Sequence, residues 1–332
     1  MSPSLVCDVM ARTRVYRDGA LAAEGFPVAE VSDHLRDPSA VVWLDMCAPS
    51  EEDLAEIGEE LGLHELAVEG ALGHRQRPKL DVYDSHMFLS VYAGTFDRET
   101  GRLDVCEASA FVTENVLVTV RKSEGFAIDE VVRRWDSSSR LAGNGVAFLL
   151  HGLLDYVVDS HFEAVEAMDE QVEALEETLF EERPIGPDEQ RRTFEMRKGL
   201  AVLRRIAMPT REVVNTLLRR EGDIAEGAMA PYYQDVYDHV LRVTEWVDSL
   251  RDLIANIREA HLTMQGNRLN LIMKRVTGWA AIIAVPTLIT GFYGQNLPFP
   301  GFERPWGFWA STALIVLASA LLYRLFRGRD WL

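Results

Sequence analysis

Two stretches near the C-terminus, 276–297 and 306–323, contain no charged residue. A spanning helix needs about 20 predominantly apolar residues, within a range of roughly 17–25. Both runs reach that length, the second near its lower limit. Aromatic residues collect near their ends, at Phe292, Tyr293, Trp306, Phe308, Trp309 and Tyr323, as they do at membrane interfaces. A buried hairpin of a soluble protein has no need of such belts. Arg268, Lys274 and Arg275 precede the first run, and Arg324, Arg327 and Arg329 end the second. The loop between them, QNLPFPGFERP, holds only Glu303 and Arg304. Lys and Arg favour the cytoplasmic side, so both termini are expected inside and the loop outside.

Upstream, the pattern is of a different kind. VVWLDM (41–46), HMFLSVYAGTF (86–96) and EASAFVTENVLVTVRK (107–122) are rich in β-branched and aromatic residues, and Glu114–Asn115 marks a turn. PSEEDLAEIGEELGL opens with Ser50 as N-cap and acids in the first turn, which predicts a helix. Residues 1–140 thus read as an α+β domain. From 141 to 230 the apolar spacing is helical, broken by RPIGP at 183–187. Pro209 should kink the second of these helices or locally break its hydrogen bonds. Pro231 suits the first turn of a third, and nothing from Tyr232 to Tyr293 is a firm stop. A helix of that length extends over roughly 90 Å, about three bilayer thicknesses. The expected order is a stalk and first span at 231–294, an external loop at 295–305, a second span at 306–326 and a basic tail at 327–332.

The membrane-proximal part of the stalk has one distinctive face. Gly266, Asn270, Met273, Thr277, Ala280, Ala284, Thr287, Gly291 and Gly294 recur at steps of three or four, making a narrow stripe of mostly small or polar residues. Small residues allow close helix packing in lipid, and the same stripe suits a pore lining shared among copies. Asn270 and Asn296, at its two ends, favour the pore, because neutral amide oxygens suit a hydrated cation.

Composition narrows the function. The 332-residue chain has a formal charge of −18, which argues against a nucleic-acid surface. Cys7, Cys47 and Cys106 are scattered, without a CxxC or zinc-type spacing, a pattern expected of unpaired thiols in a reducing compartment. The N-terminus lacks the apolar core of a signal peptide, which again places the region before the spans in the cytoplasm. Residues 141–182 hold eleven Asp or Glu and no Lys or Arg. Acids three or four apart repel one another unless cations intervene. Most are expected to be solvated, while a subset has the hard oxygens that divalent cations take. No GxxxxGK[ST] loop is present, against an ATP-driven pump, and no nucleophile motif or metal-ligand cluster points to an enzyme.

The segment NLIMKRVTGWAAIIAVPTLITGFYGQN (270–296), with a short loop, a second span and the RGRDWL tail, resembles the CorA-type magnesium transporters. GLHELAVE, QRPKLDVYDSH, AFLLHGLLDYVVD and PYYQDVYDH extend the resemblance from about residue 41 to the C-terminus. It implies a funnel-shaped homopentamer embedded in membrane lipid, with the first spans lining the pore. Gly294, Gln295 and Asn296 would then form the outer selectivity ring. The pore-lining set would be Asn270, Met273, Val276, Thr277, Ala280, Ala284, Thr287 and Gly291, with Met273 and Val276 as an apolar inner constriction. Mg²⁺ dehydrates reluctantly, and a ring of amide oxygens can hold its water shell. The resemblance further implies regulatory binding of intracellular divalent cations at Glu69, Asp155 and Asp235. It implies no cofactor other than Mg²⁺ as transported and regulatory ion.

Two departures stand out. The family's Gly-Met-Asn reads Gly294-Gln295-Asn296, which puts an extra amide at the pore mouth. Its Glu-Asp pair reads Glu69-Gly70, so one regulatory carboxylate is missing and weaker regulation is expected. Cobalt or nickel is expected as a further cargo. The alternatives are zinc transport on the same fold, although the stripe offers no Cys or His, and a non-conducting membrane receptor or scaffold.

Overall fold

The computed structural model describes residues 11–73, 77–180, 186–219, 224–295, 301, 304–329 and 331. They form two compact units, Met1–Ile254 and Ala255–Leu332.

The first unit is built on a seven-stranded sheet. Its strands are β1 (Arg12–Arg17), β2 (Ala20–Glu24), β3 (Ala40–Cys47), β4 (Lys79–Val82), β5 (Met87–Asp97), β6 (Arg102–Val112) and β7 (Val116–Arg121), in the spatial order β2-β1-β3-β7-β6-β5-β4. Only β3 and β7 run parallel; the other pairs are antiparallel. The β1–β2 hairpin turns at Asp18 and Gly19, both with positive φ (50° and 76°), as a tight two-residue hairpin turn requires. The turn expected at Glu114–Asn115 joins β6 to β7, with Thr113 accepting on its Oγ1 from the Val116 N–H at 3.0 Å.

Helices cover both faces of this sheet. On one side lie α1 (Val31–Leu35), α2 (Glu51–Glu60) and α3 (Glu65–Leu72). Alternate strand residues Leu44, Met46, Phe88, Phe111 and Val118 pack there with Leu54, Ile57 and Ala67. On the other side lie α4 (Ile128–Ser137), α5 (Val146–Phe180), α6 (Pro187–Arg219) and the start of α7 (Ala230–Tyr293). Trp43, Leu89, Val91, Ala110 and Leu117 face that layer and meet Trp135, Leu150, Val157, Val214 and Tyr233. This period-two division explains why the central strands are apolar on both faces.

Local sequence explains several boundaries. Ser50 caps α2 in a reciprocal capping box with Asp53. Gly152 leaves room for the Trp135 indole, which donates to the Leu149 carbonyl at 3.1 Å; a Cβ at 152 would lie 2.4 Å from the ring nitrogen. Pro209 lies inside α6 without ending it; having no N–H, it leaves one carbonyl of the preceding turn without its intrahelical donor. Pro231 sits in the first turn of α7.

β5 outruns its neighbour β4, which pairs only as far as Ser90. Beyond that point α5 takes over the unpaired edge. Ser160 Oγ accepts from the Gly94 N–H at 3.1 Å, and His161 Nε2 donates to the Tyr92 carbonyl at 2.7 Å. A buried ion pair ties the parallel strands: Arg121 grips both Asp45 oxygens at 2.8–3.1 Å, and Thr119 donates to Asp45 Oδ1 at 2.7 Å. Cys106 is a free thiol, but Cys47 is disulfide-bonded, so the expectation of unpaired cysteines fails there.

The second unit contains the end of α7 and α8 (Pro305–Arg327). Each is long and apolar enough to cross a membrane, and almost nothing in either apolar window is buried within the chain.

Candidate ion pathway and regulatory residues

The helical stripe survives as a face of α7. Asn270, Met273, Val276, Thr277, Ala280, Ala284, Thr287 and Gly291 are all on this helix, and all are exposed. The half-buried positions of the same segment are different ones: Ala281, Ile282, Val285, Pro286, Ile289 and Tyr293. The stripe is therefore uncovered by the chain's own residues. Threonine does not open the helix here, because its hydroxyls donate back to the preceding turn, Thr287 to Ile283 O at 3.1 Å and Thr290 to Pro286 O at 2.9 Å. The second of these bonds sits beside Pro286, which supplies no N–H of its own.

Helix α7 ends at Tyr293, and the Gly294 N–H closes the last turn on the Thr290 carbonyl at 2.9 Å. Gly294 and Gln295 follow as exposed residues. Asn296 and Glu303 lie outside the described residues.

The three expected regulatory acids do not meet in one chain. Glu69 is on α3, exposed beside a cavity of about 810 Å³ that Glu51, Glu59 and Glu65 also line. Asp155 is on α5, where Arg134 of α4 donates to it at 2.5 Å and to Asp159 at 2.6 Å. Asp235 is on α7, 3.9 Å from His239 one turn along, an i,i+4 contact. His239 also stands 4.0 Å from Asp159. Among the described residues no three His, Cys, Asp or Glu side chains converge on a metal position. The cation that intervenes between the α5 carboxylates is thus a guanidinium. Arg134 was missed by sequence reasoning because it lies outside the acidic segment, and α4's amphipathic run around it was the available signal. The shared carboxylates raise the Arg134 pKa against the opposing effect of burial.

Glu69 has a firm platform. Lys122, at the end of β7, reaches the carbonyls of Ala71 and Gly73, the latter at 2.6 Å, and so closes the C-terminal end of α3. Burial pushes the Lys122 pKa down.

Two exposed apolar helices of spanning length, one bearing a stripe of mostly small or polar residues, define an integral membrane protein. The chain belongs to the CorA-like Mg²⁺ transporter family, whose sequence model matches residues 38–327. It is therefore a divalent-cation transporter and not an enzyme. It is 29% identical to the cobalt/magnesium transport protein CorA of Thermotoga maritima, over 90% of this chain and 85% of that protein. It is 30% identical to the putative metal ion transporter YfjQ of Bacillus subtilis, over 87% and 89% of the two chains. In fold it resembles the complete CorA magnesium transporter of Methanocaldococcus jannaschii, with a TM-score of 0.80 at 21% identity, covering 98% of this chain and all of that one.

Proposed function

We propose that this transporter conducts Mg²⁺ passively into the cell through a pore lined by the α7 stripes of several copies, five in the assembly the family resemblance implies. The supporting observation is the stripe itself, polar, small and left uncovered on a helix of spanning length. On this reading Asn270 and the backbone near Gly291 and Gly294 contact the hydrated ion, with Gln295 and Asn296 at the outer mouth. Met273 and Val276 form the inner apolar ring, where dewetting closes the path. Both termini are cytoplasmic, and the inside-negative potential supplies the drive, about 2.3 kcal/mol per charge per 100 mV.

Regulation by internal divalent cations belongs to the same proposal. Glu69, Asp155 and Asp235 would act across contacts between copies, where an ion bridges carboxylates of neighbouring chains. Asp155 is already held by Arg134, so an ion there competes with a guanidinium. Cobalt is an expected further cargo, because the Thermotoga maritima relative bears both metals in its name.

The test is flux into vesicles holding the full-length chain, with Mg²⁺, Co²⁺ and Zn²⁺ compared under an imposed potential. Potential-driven Mg²⁺ uptake that Asn296→Ala strongly reduces is the expected result. Uptake unchanged by Asn296→Ala would overturn the outer ring, and no uptake at all would favour the receptor or scaffold reading.

A further inference from the structure

A stack of three rings joins the turn before α3 to the turn between β4 and β5. His64 lies against Tyr83 with centroids 4.6 Å apart, and Tyr83 against His86 at 4.8 Å, both pairs nearly parallel. The stack has an exposed end, His64, and a buried end, His86, only 4% exposed.

The two imidazoles have different duties. Ser85 Oγ donates to the Gly62 carbonyl at 3.0 Å, so it has no proton left for its 2.9 Å contact with His86 Nδ1. That nitrogen must therefore carry the proton. His86 Nε2 is then a buried lone pair with no partner among the described residues. Burial, followed by the nearby His64, pushes the His86 pKa down. His86 is the neutral, fixed end of the stack.

His64 is the N-cap of α3, in an extended conformation, and its Nδ1 accepts from the Leu66 N–H at 3.2 Å. Serine, threonine and asparagine caps accept at any ordinary pH. A histidine cap accepts only while that nitrogen is unprotonated. A proton there removes the acceptor and sets a positive charge against the positive end of the helix dipole. Helix α3 has eight residues, so its first turn is a large part of it, and Glu69 stands on its next turn.

We propose that His64 is a proton-sensitive positioning residue for Glu69: unprotonated, it holds the first turn of α3, and protonated, it releases that turn and weakens the response to Mg²⁺. The Mg²⁺ part rests on the reading of Glu69 as a regulatory ligand. The ionisable groups along the segments that meet here are Glu59 and Glu60 at the end of α2, Glu65 on α3, and Tyr83, Asp84 and His86 in the β4–β5 turn. Glu60 is engaged by Ser32. Tyr83 is the group in ring contact with His64.

The experiment follows hydrogen exchange of the α3 segment in the full-length protein at pH about 7.5 and about 5.5, corrected for intrinsic exchange, a range that brackets imidazole titration. The wild type should lose roughly five-fold in protection on acidification, the equilibrium factor of one lost cap. His64→Asn, a cap that does not titrate, should hold its protection constant. Equal pH dependence in the two proteins would overturn the proposal. Proteolysis supplies the second readout: the Mg²⁺ concentration giving half protection should rise on acidification in the wild type and stay level in His64→Asn. A midpoint independent of pH in the wild type also overturns it. Glu69→Gln separates the two readings. An unchanged Mg²⁺ midpoint in that variant would sink the role of Glu69 and the Mg²⁺ part of the proposal with it, leaving the cap itself decided by exchange.

Discussion

Replacing His161 by glutamine should flatten the acid side of the protein's stability profile. The His161 ring is fully buried on α5. Its Nε2–H donates to the Tyr92 carbonyl at 2.7 Å, and its Nδ1 is buried without a partner among the described residues. Burial brings its pKa down to about 4, against a smaller upward pull from the Tyr92 carbonyl. In the unfolded chain an imidazole titrates near 6.5. The folded value is the lower one, so the unfolded chain takes up the proton first as pH falls. The stability contribution is complete above about pH 6.5 and is lost progressively down to about pH 4. The difference of about 2.5 units corresponds to a total of about 3 kcal/mol, of which about 2 kcal/mol is lost between pH 7 and 5. Glutamine can still donate to the Tyr92 carbonyl but does not titrate. Denaturant unfolding of the full-length protein, followed by the fluorescence of the buried Trp43 and Trp135, gives the profile for both proteins. His86 and His151 are also pulled down by burial, so some acid loss should remain in the variant. Parallel wild-type and variant profiles from pH 7 to 5 would refute the reasoning.

Asp45→Asn should cost about 3–5 kcal/mol, because it leaves the buried Arg121 guanidinium without its counter-charge; the same unfolding measurement checks it. Gly152→Ala drives a methyl into the Trp135 indole and should cost about 1–3 kcal/mol, with a change in Trp fluorescence of the folded protein. Arg134→Gln removes the shared partner of Asp155 and Asp159, both partly exposed, and should cost about 1 kcal/mol in the absence of divalent ions. Added Mg²⁺ should restore part of that loss, and a Mg²⁺ response no greater than that of the wild type would count against an ion position at these acids.

Features written in consecutive residues were the readable ones. The spans, the Ser50 cap and strands β3, β5, β6 and β7 rest on local runs and spacing, and the α7 stripe on a simple helical period. The β1–β2 hairpin carried a signal in Asp18–Gly19 that went unused, because its strands are short and β2 is mostly exposed. Pairings between distant positions left no such trace. Asp45 meets Arg121 across 76 residues, and Arg134 reaches Asp155 from another helix. The positions of Glu69, Asp155 and Asp235 on three separate elements likewise depend on the tertiary fold. Asn296 was readable as a motif residue, while its geometry lies outside the described residues.

Arg134 also divides the acids of α5 into two classes. Asp155 and Asp159 have a counter-ion attached to the same chain, and Glu170 has another in Arg98. A tethered counter-ion is present at a constant local concentration whatever the cell contains. Glu163, Glu166 and Glu173 have no Arg or Lys partner among the described residues. Their neutralisation depends on what the surrounding solution supplies. Only this second class can register a change in ionic conditions at no competitive cost, whereas the first reports only ions strong enough to displace a guanidinium.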